Sequence, residues 1–381
     1  MRKLSHACLL ALLSAAPAVS QQQSTGALSP SPGAVRDYLQ IAERVAPGVH
    51  VLRQAAPNFA GVIGNVTVIE QSDGVVLIDS GASHGSGRRV VELVRSVSSR
   101  PVKAVVITHW HNDHPLGLSA IIAAWPNADI IAHGAAAADM EAGRLGTVPR
   151  AASAEYDAER VRTLGEAYDR LQANEAARAA TPEERAGWAR AFAARALRLA
   201  DVPGTYMVLP RRTFTDRLTI PDSERPVELI FLGRANTSGD VSAWLPRQRI
   251  LVAGDAVVEP VPYMFSVYPS EILAVFDRMR ALRHRVLIPG HGVPQRDQVY
   301  LDRLSGLVRE VQRQVAPLAR ENVPLDQIAG RTDFAAQRRL FSGGDPWLAY
   351  WFDRYSLTPL IASVYSEARG EPLGPPPVQG R

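Results

Sequence analysis

Apolar positions along the chain follow two periods. Asn65-Val66-Thr67-Val68-Ile69 and Val75-Val76-Leu77-Ile78 are short β-branched runs, and Ser72-Asp73-Gly74 between them predicts a hairpin turn. From Ser86 to Val97 the period lengthens, with Val90, Val91, Leu93, Val94 and Val97 on one helical face. Val102 to Ile107 then reads as a buried strand that stops at Thr108. Leu116 to Ala124 reads as a helix and Ile130-Ile131-Ala132 as a further strand. Strands resume at Thr213 to Ile220, Val227 to Leu232, Val241 to Leu245 and Ile250 to Ala253. A helix at Ser270 to Leu282 and the strand Val286-Leu287-Ile288 follow. Two β-rich halves, each with its own helices, predict an α/β protein arranged as a four-layer αββα sandwich.

The stretch between the halves, at about 135–204, is rich in Ala, Arg and Glu and reads as wholly helical. Tyr156, Val161, Leu164, Tyr168 and Leu171 form one apolar stripe. Thr181-Pro182-Glu183-Glu184 supplies an N-cap, a first-turn proline and a capping-box Glu. Two readings of this insertion stay open: a cover over the mouth of a site, or a side layer that only packs. The end of the chain is helical again, at Gln298 to Leu318, Pro346 to Phe352 and Thr358 to Ala368. The expected organisation is one domain over 37–320 that contains the insertion, a helical C-terminal extension over 321–369, and a disordered tail over 370–381.

Composition sharpens this in three ways. At 46% hydrophobic and 21% charged the chain is globular, and collagen, coiled-coil and membrane-bundle architectures are excluded. Only 2 of the 42 basic residues are lysine (Lys3 and Lys103), and the arginines are interspersed with acids rather than blocked. That pattern indicates no nucleic-acid partner. Cys8 is the single cysteine, which rules out a disulfide framework and a cysteine zinc site. Cys8 lies in an apolar run, Ala7 to Ala18, behind the basic start Met1-Arg2-Lys3 and ahead of the small residues Ala18-Val19-Ser20. The run is too short to span a bilayer and reads as a signal peptide, residues 1–20, cleaved after Ser20. A Ser/Pro/Gly/Gln-rich lead-in would follow at 21–36. The expected location is periplasmic or secreted, with no membrane anchor after cleavage.

The chemistry concentrates in Thr108-His109-Trp110-His111-Asn112-Asp113-His114, directly after a buried strand. Imidazole and carboxylate are ligands for Zn²⁺ and similar first-row cations. His109 and His111 are spaced to point the same way from an extended turn, while Asp113 and His114 face a second metal. No G-x-S-x-G elbow offers a serine-nucleophile alternative.

This segment resembles the signature of the metallo-β-lactamase superfamily, His-x-His-x-Asp-His, and the resemblance runs from about Val49 to His291. Leu77-Ile78-Asp79-Ser80-Gly81 is similar to the early Asp motif, in which Asp79 would order the metal loop without touching a metal. Ala253-Gly254-Asp255 is similar to the strand end that supplies a bridging carboxylate. Pro289-Gly290-His291-Gly292 is similar to the last metal histidine motif. One motif departs. Gly233 to Asp240 (GRANTSGD) puts Asn236 where most members carry a third histidine. The resemblance implies one metal on His109, His111 and Asp255, with Asn236 offering at best an amide oxygen, and another on Asp113, His114, His291 and Asp255. It implies zinc, one or two ions, other first-row divalent metals being compatible with the donors.

The expected activity is cleavage of an amide or ester bond in a small molecule by metal-activated water, which Asp113 would also orient as the catalytic carboxylate. A β-lactam is the leading named substrate. A lactone or thioester is the alternative, because Asp255 stands where zinc β-lactamases generally have Cys or Ser. A non-catalytic metal- or ligand-binding protein is the rival of another class, motivated by Asn236. The apolar segment Val257 to Tyr268 suggests Tyr263, Phe265 and Tyr268 as a substrate wall.

Overall fold

The computed structural model describes residues 38–55 and 61–374. The expected signal peptide and lead-in, Cys8, and residues 375–381 of the expected tail lie outside the described residues. Among the described residues no helix is long and apolar enough to cross a membrane.

The first sheet has seven strands in sequential order. β1 (Gln40–Ala46), β2 (Val49–Gln54), β3 (Val66–Glu70) and β4 (Val75–Ile78) form an antiparallel meander. β5 (Val102–Ile107), β6 (Asp129–His133) and β7 (Arg212–Phe214) then add in parallel. A parallel pair needs a crossover. Helix α1 (His84–Val97) and helix α2 (Leu118–Ala124) supply the first two. α1 opens on a capping box, Ser83 with Ser86, as its polar start before the Val90/Val94 stripe demands. The third crossover, from β6 to β7, is the insertion itself. It contains α3 (Gly134–Glu141), α4 (Ala154–Asn174), α5 (Pro182–Ala193) and α6 (Arg195–Ala200). Residues 142–153 turn and bend rather than continue a helix, so the insertion is not helical throughout.

The second sheet runs β12-β11-β10-β9-β8. β8 (Arg217–Ile220), β9 (Val227–Phe231), β10 (Val241–Leu245) and β11 (Ile250–Val258) are antiparallel neighbours. β12 (Val286–His291) joins β11 in parallel after helix α7 (Pro269–Ala281). The single strand expected over Thr213 to Ile220 is two. β7 pairs with β6 and β8 with β9, so the chain changes sheets at Thr215-Asp216. Phe214 and Ile220 nevertheless bury in the same core, which is why their spacing reads as one run. β11 also outruns its expected end by five residues, which places Asp255 inside a strand and not after one. Gly254, at φ +56°, shifts the register against β12 there, a conformation that glycine adopts without strain.

Three apolar clusters make the four layers. Val51, Ile69, Ile78 and Val106 of the first sheet meet Leu229, Ala243, Val252 and Ile288 of the second. Val90, Val94, Leu118 and Ile121 cover the outer face of the first sheet over Leu77, Val105 and Ile130. α7 and α8 (Val299–Arg320) cover the second with Phe276, Met279, Leu304 and Val308. Each Val, Leu, Ile, Phe or Met side chain among them contributes about 1.5–3 kcal/mol on burial.

The C-terminal extension, α9 (Leu325–Ile328), α10 (Ala335–Ser342), α11 (Pro346–Phe352) and α12 (Thr358–Ala368), joins the same outer layer. Asp345 caps α11 by accepting from the amides of Trp347 and Leu348, at 2.7 and 3.1 Å, with Pro346 in its first turn. A π-helical turn, Asp353–Leu357, links α11 to α12. Trp188 of α5 packs on Trp347 and Trp351 of α11, so insertion and extension seat each other.

Candidate metal centre

The C-terminal ends of β4 and β5 hold the loop 108–114 through one carboxylate. Asp79 follows β4 with φ +66°, a left-handed conformation that Asp tolerates better than most residues. Its Oδ1 accepts from the Thr108 amide at 2.8 Å. Its Oδ2 accepts from Thr108 Oγ1 at 2.8 Å and, also at 2.8 Å, from His114 Nδ1. The Thr108 hydroxyl is thereby committed to Asp79 as donor, so it accepts from His109 Nδ1 at 3.0 Å. These bonds fix both tautomers: the Nε2 lone pairs of His109 and His114 are left to point inward.

Opposite this loop, the second sheet presents Asp255 from β11 and His291 from the last position of β12. Gly290 makes room for Asp255, since a Cβ there would stand 1.9 Å from Asp255 Oδ1. The Asp255 carboxylate straddles the two halves of the loop. Oδ2 lies 3.7 Å from His109 Nε2, and Oδ1 lies 3.3 Å from His114 Nε2 and 3.5 Å from His291 Nε2. Asp113 Oδ2 is 3.0 Å from His291 Nε2 and 3.6 Å from His114 Nε2. Two groups of potential donor atoms result: His109, His111 and Asp255, and Asp113, His114 and His291. Within each group the atoms lie within 4.8 Å of one another.

The donor atoms answer whether these residues fit a metal. His109 Nε2, His114 Nε2, His291 Nε2, Asp255 Oδ1 and Asn236 Oδ1 are all buried and make no hydrogen bond. The first four of these gather around Asp255, and four orphaned polar atoms converging in one interior place cost several kcal/mol without a partner. A divalent cation is the partner that imidazole and carboxylate share. Electrostatics agree. Burial drives the pKa of His109 and of His111 below the usual histidine range, which keeps both neutral and ligating. Burial also opposes charge on His114 and His291, but Asp255 and Asp113 outweigh it, raising His114 well above its usual value and His291 to about 9. The carboxyls respond in kind. Burial would raise Asp113 and Asp255, yet the neighbouring imidazoles hold both below the ordinary carboxylate range. The two carboxylates demand positive charge, and the chain lends protons where a cation would otherwise serve.

Asn236 reaches the same place. Its Nδ2 donates to His111 Nδ1 at 3.3 Å, and its Oδ1 has no partner. Turned about its terminal bond, the same carboxamide presents oxygen at that position. The loop carrying it is tied by Asp240, whose Oδ2 accepts from the amides of Ala235 and Thr237.

Of the aromatic residues expected to wall the site, Tyr263 lies beside it: its ring centroid is 5.1 Å from that of His291. Phe265 stands 6.2 Å beyond Tyr263 and is 49% exposed. Tyr268 turns away to the Asn236 loop instead, its amide bonding Ala235 O at 3.1 Å and its ring lying under the Arg234 guanidinium. Three further histidines serve structure. His133 caps α3 and stacks on Phe231, and His84 Nδ1 meets Ser119 Oγ at 3.1 Å. His284, whose two arginine neighbours suggest a solvent-facing ring, is buried between Met279 O and Gln298.

The metallo-beta-lactamase superfamily model matches residues 60–291. The chain belongs to that superfamily. Its members are hydrolases that typically bind divalent metals. Over 250 residues the chain is 20% identical to a linear primary-alkylsulfatase of Pseudomonas sp., a match covering 64% of this chain and 44% of that protein. A lactamase-like protein, ptaB, of Pestalotiopsis fici is 26% identical over 105 residues, 25% of this chain and 34% of the other. The chain spans less than half the length of these curated relatives' matched proteins. Among solved structures, the fold is similar to the stereoselective inverting sec-alkylsulfatase Pisa1 from Pseudomonas sp. The TM-score is 0.59 at 15% identity, covering 86% of this chain and 50% of that one.

Residues with no sequence signal complete the surroundings. Tyr355, in the π-helical turn, packs its ring 5.3 Å from Tyr263 and 5.0 Å from Phe265, and burial pushes its phenol up to about 12. Arg160 and Arg198 of the insertion line a cavity together with Asn112 and Asp113. Of the two readings open for the insertion, the cavity gives it a face toward the metal loop.

Proposed function

We propose that this hydrolase cleaves an ester or amide bond in a small anionic substrate, and that His109, His111 and Asp255 would hold one divalent metal and Asp113, His114 and His291, with Asp255 beside them, another. One observation carries the reading: the two oxygens of Asp255 face the orphaned Nε2 atoms of His109 on one side and of His114 and His291 on the other. Zinc suits the imidazole-rich donor set. When bound, such cations supply Lewis acidity and acidify water near neutral pH.

The chain's own residues do the rest. Asp113 lines the cavity, so its carboxylate is available to orient water against the scissile bond. Burial keeps the Tyr263 phenol protonated far above neutral pH, and it stands beside His291 as a hydrogen-bond donor toward the reacting group. Tyr355 and Phe265 add apolar ring surface beside Tyr263.

A sulfate ester of an alkyl chain is the first substrate to test, supported by the printed activity of the alkylsulfatase that matches 64% of the chain. A β-lactam is the second, supported by the family and by its carboxylate. The metal-replete protein is assayed on octyl sulfate, a chromogenic cephalosporin, a lactone and a thioester, with metal content measured alongside. Turnover that Asp113→Ala abolishes supports the hydrolase reading. Full metal content with no turnover on any of the four overturns it in favour of a binding protein. We also propose export, carried by the pattern of Met1 to Ser20. Expressed in a Gram-negative host, the protein should be periplasmic and begin near Gln21, and intact Met1 on cytosolic protein overturns this.

A further inference from the structure

Between α4 and α6 on one side and the metal loop on the other lies a small cavity of about 60 Å³. Asn112, Asp113 and Leu116 form its floor, and Arg160, Leu164 and Arg198 reach it from the insertion. Several arginines of the insertion are neutralised locally, and Arg150, Arg178, Arg185 and Arg190 stand exposed to solvent. Arg162 pairs with Glu159 and Glu166, and Arg195 pairs with Asp169 at 2.7 Å. Arg198 is engaged with the Tyr168 phenol. Arg160 differs: it is half-buried, and among the described residues no carboxylate lies within ion-pair distance of it. A half-buried guanidinium that lines a cavity and has no acid within ion-pair distance is available to an anionic ligand.

We propose that Arg160 is a specificity-determining residue that binds the anionic group of the substrate. Its planar fork matches a carboxylate or a sulfate-type group in a bidentate fashion. Leu164 and Leu116 on either side give the same cavity an apolar surface, so the ligand class is an anion carried on a short apolar chain. The anion would sit at the roof and the apolar part between roof and floor, which directs the bond beside it toward Asp113. The proposal deepens the hydrolase reading and rests on it for the consequence, but binding itself is measured without turnover.

The probe is octane-1-sulfonate, which offers the anion and the chain but no ester to cleave. Calorimetric titration of the metal-loaded protein compares wild type with Arg160→Met and Arg160→Lys. Octan-1-ol is the neutral control and inorganic sulfate the control for the anion alone. Arg160→Met should weaken sulfonate binding tenfold or more and leave octanol unchanged, with Arg160→Lys in between. Binding of sulfate alone with the same sensitivity assigns a simple anion site, whereas binding that needs the chain assigns the amphiphile. Equal sulfonate affinity in wild type and Arg160→Met overturns the proposal, as does no binding to wild type or an equal loss of octanol. If Arg160→Met does not fold, Arg160→Lys carries the comparison, since it keeps the charge and loses the fork. A sulfonate result that stands while no substrate is turned over would fault the hydrolase reading alone.

Discussion

The two donor groups share Asp255 but are furnished differently. The second group, Asp113, His114 and His291, is wholly buried and adds its own carboxylate to the shared one. The first, His109 and His111, has only the shared carboxylate, and where a third imidazole would close it stands the neutral Asn236. Charge decides such contests at close range: two anionic donors attract a divalent cation far more strongly than one, and more so where water is excluded. The difference teaches that two donor groups built on one shared side chain need not be equally furnished for a cation.

Deleting a donor of the second group should therefore have the largest effect. Even residues that only orient a ligand change metal affinity by about 10–100-fold. Asp113→Ala or His114→Ala, which remove donors themselves, should lower turnover by more than about a hundredfold and release metal. Elemental analysis beside steady-state kinetics reads this out. Either variant with wild-type turnover and two metals per chain would erase the distinction between the groups.

Metal removal comes next. Without a cation the two carboxylates rely on protons held by His114 and His291, the latter raised to about 9. Stability from a raised histidine is fully present below its unfolded value of about 6.5 and fades as pH rises through its folded value. The metal-free chain should thus lose thermal stability between about pH 6.5 and 9, where the metal-loaded chain should not. At a free metal concentration a hundred times Kd the bound form gains about 2.7 kcal/mol. Parallel melting curves of both forms across that range would sink this account.

What the sequence discloses of this centre follows from locality. His109, His111, Asp113 and His114 lie within one loop after one strand, so their residue types and spacing carry the chemistry directly. Asp79, Asp255 and His291 are far apart, but each sits at or near the end of a readable strand and is framed by glycine, as Gly290 is by its contact with Asp255. The two-layer sheet core is legible for the same reason, through short apolar runs. Tyr355 is not legible. Its place depends on a π-helical turn in a distant extension folding back onto Tyr263, a contact that no local period encodes. Arg160 is hidden similarly, among arginines of like spacing that are either paired with acids or exposed to solvent. The switch of sheets at Thr215-Asp216 is silent because both strands feed one core.

Asn236→His tests the asymmetry by removing it. An imidazole in place of the carboxamide should tighten the first group by one or two factors of ten, each about 1.4 kcal/mol. Under graded zinc buffering, metal content should rise toward two per chain at lower free zinc than in wild type. A wild type that already holds two metals equally tightly, with no gain in the variant, means that Asn236 is a competent ligand and the groups are equal.

The smallest effect should come from Thr108→Val, which touches one group through a single hydroxyl. Valine fills the same space, and the Thr108 amide keeps its bond to Asp79 Oδ1. His114 likewise keeps its bond to Asp79 Oδ2, which gives up only its other donor, the Thr108 hydroxyl. Of the two imidazoles His109 alone loses its partner, since its Nδ1 relies on Thr108 Oγ1 in a fully buried setting. The proton is then free to move to Nε2, the atom that faces Asp255, and a protonated nitrogen cannot bind a metal. One neutral hydrogen bond is worth about 0.5–1.5 kcal/mol, so the first group should weaken by roughly threefold to tenfold. Competition with a graded chelator reads the two groups as successive losses, and only the earlier one should shift. A shift in the later loss would mean that Thr108 orders the whole loop, and that the two groups are coupled through Asp79 more tightly than through Asp255.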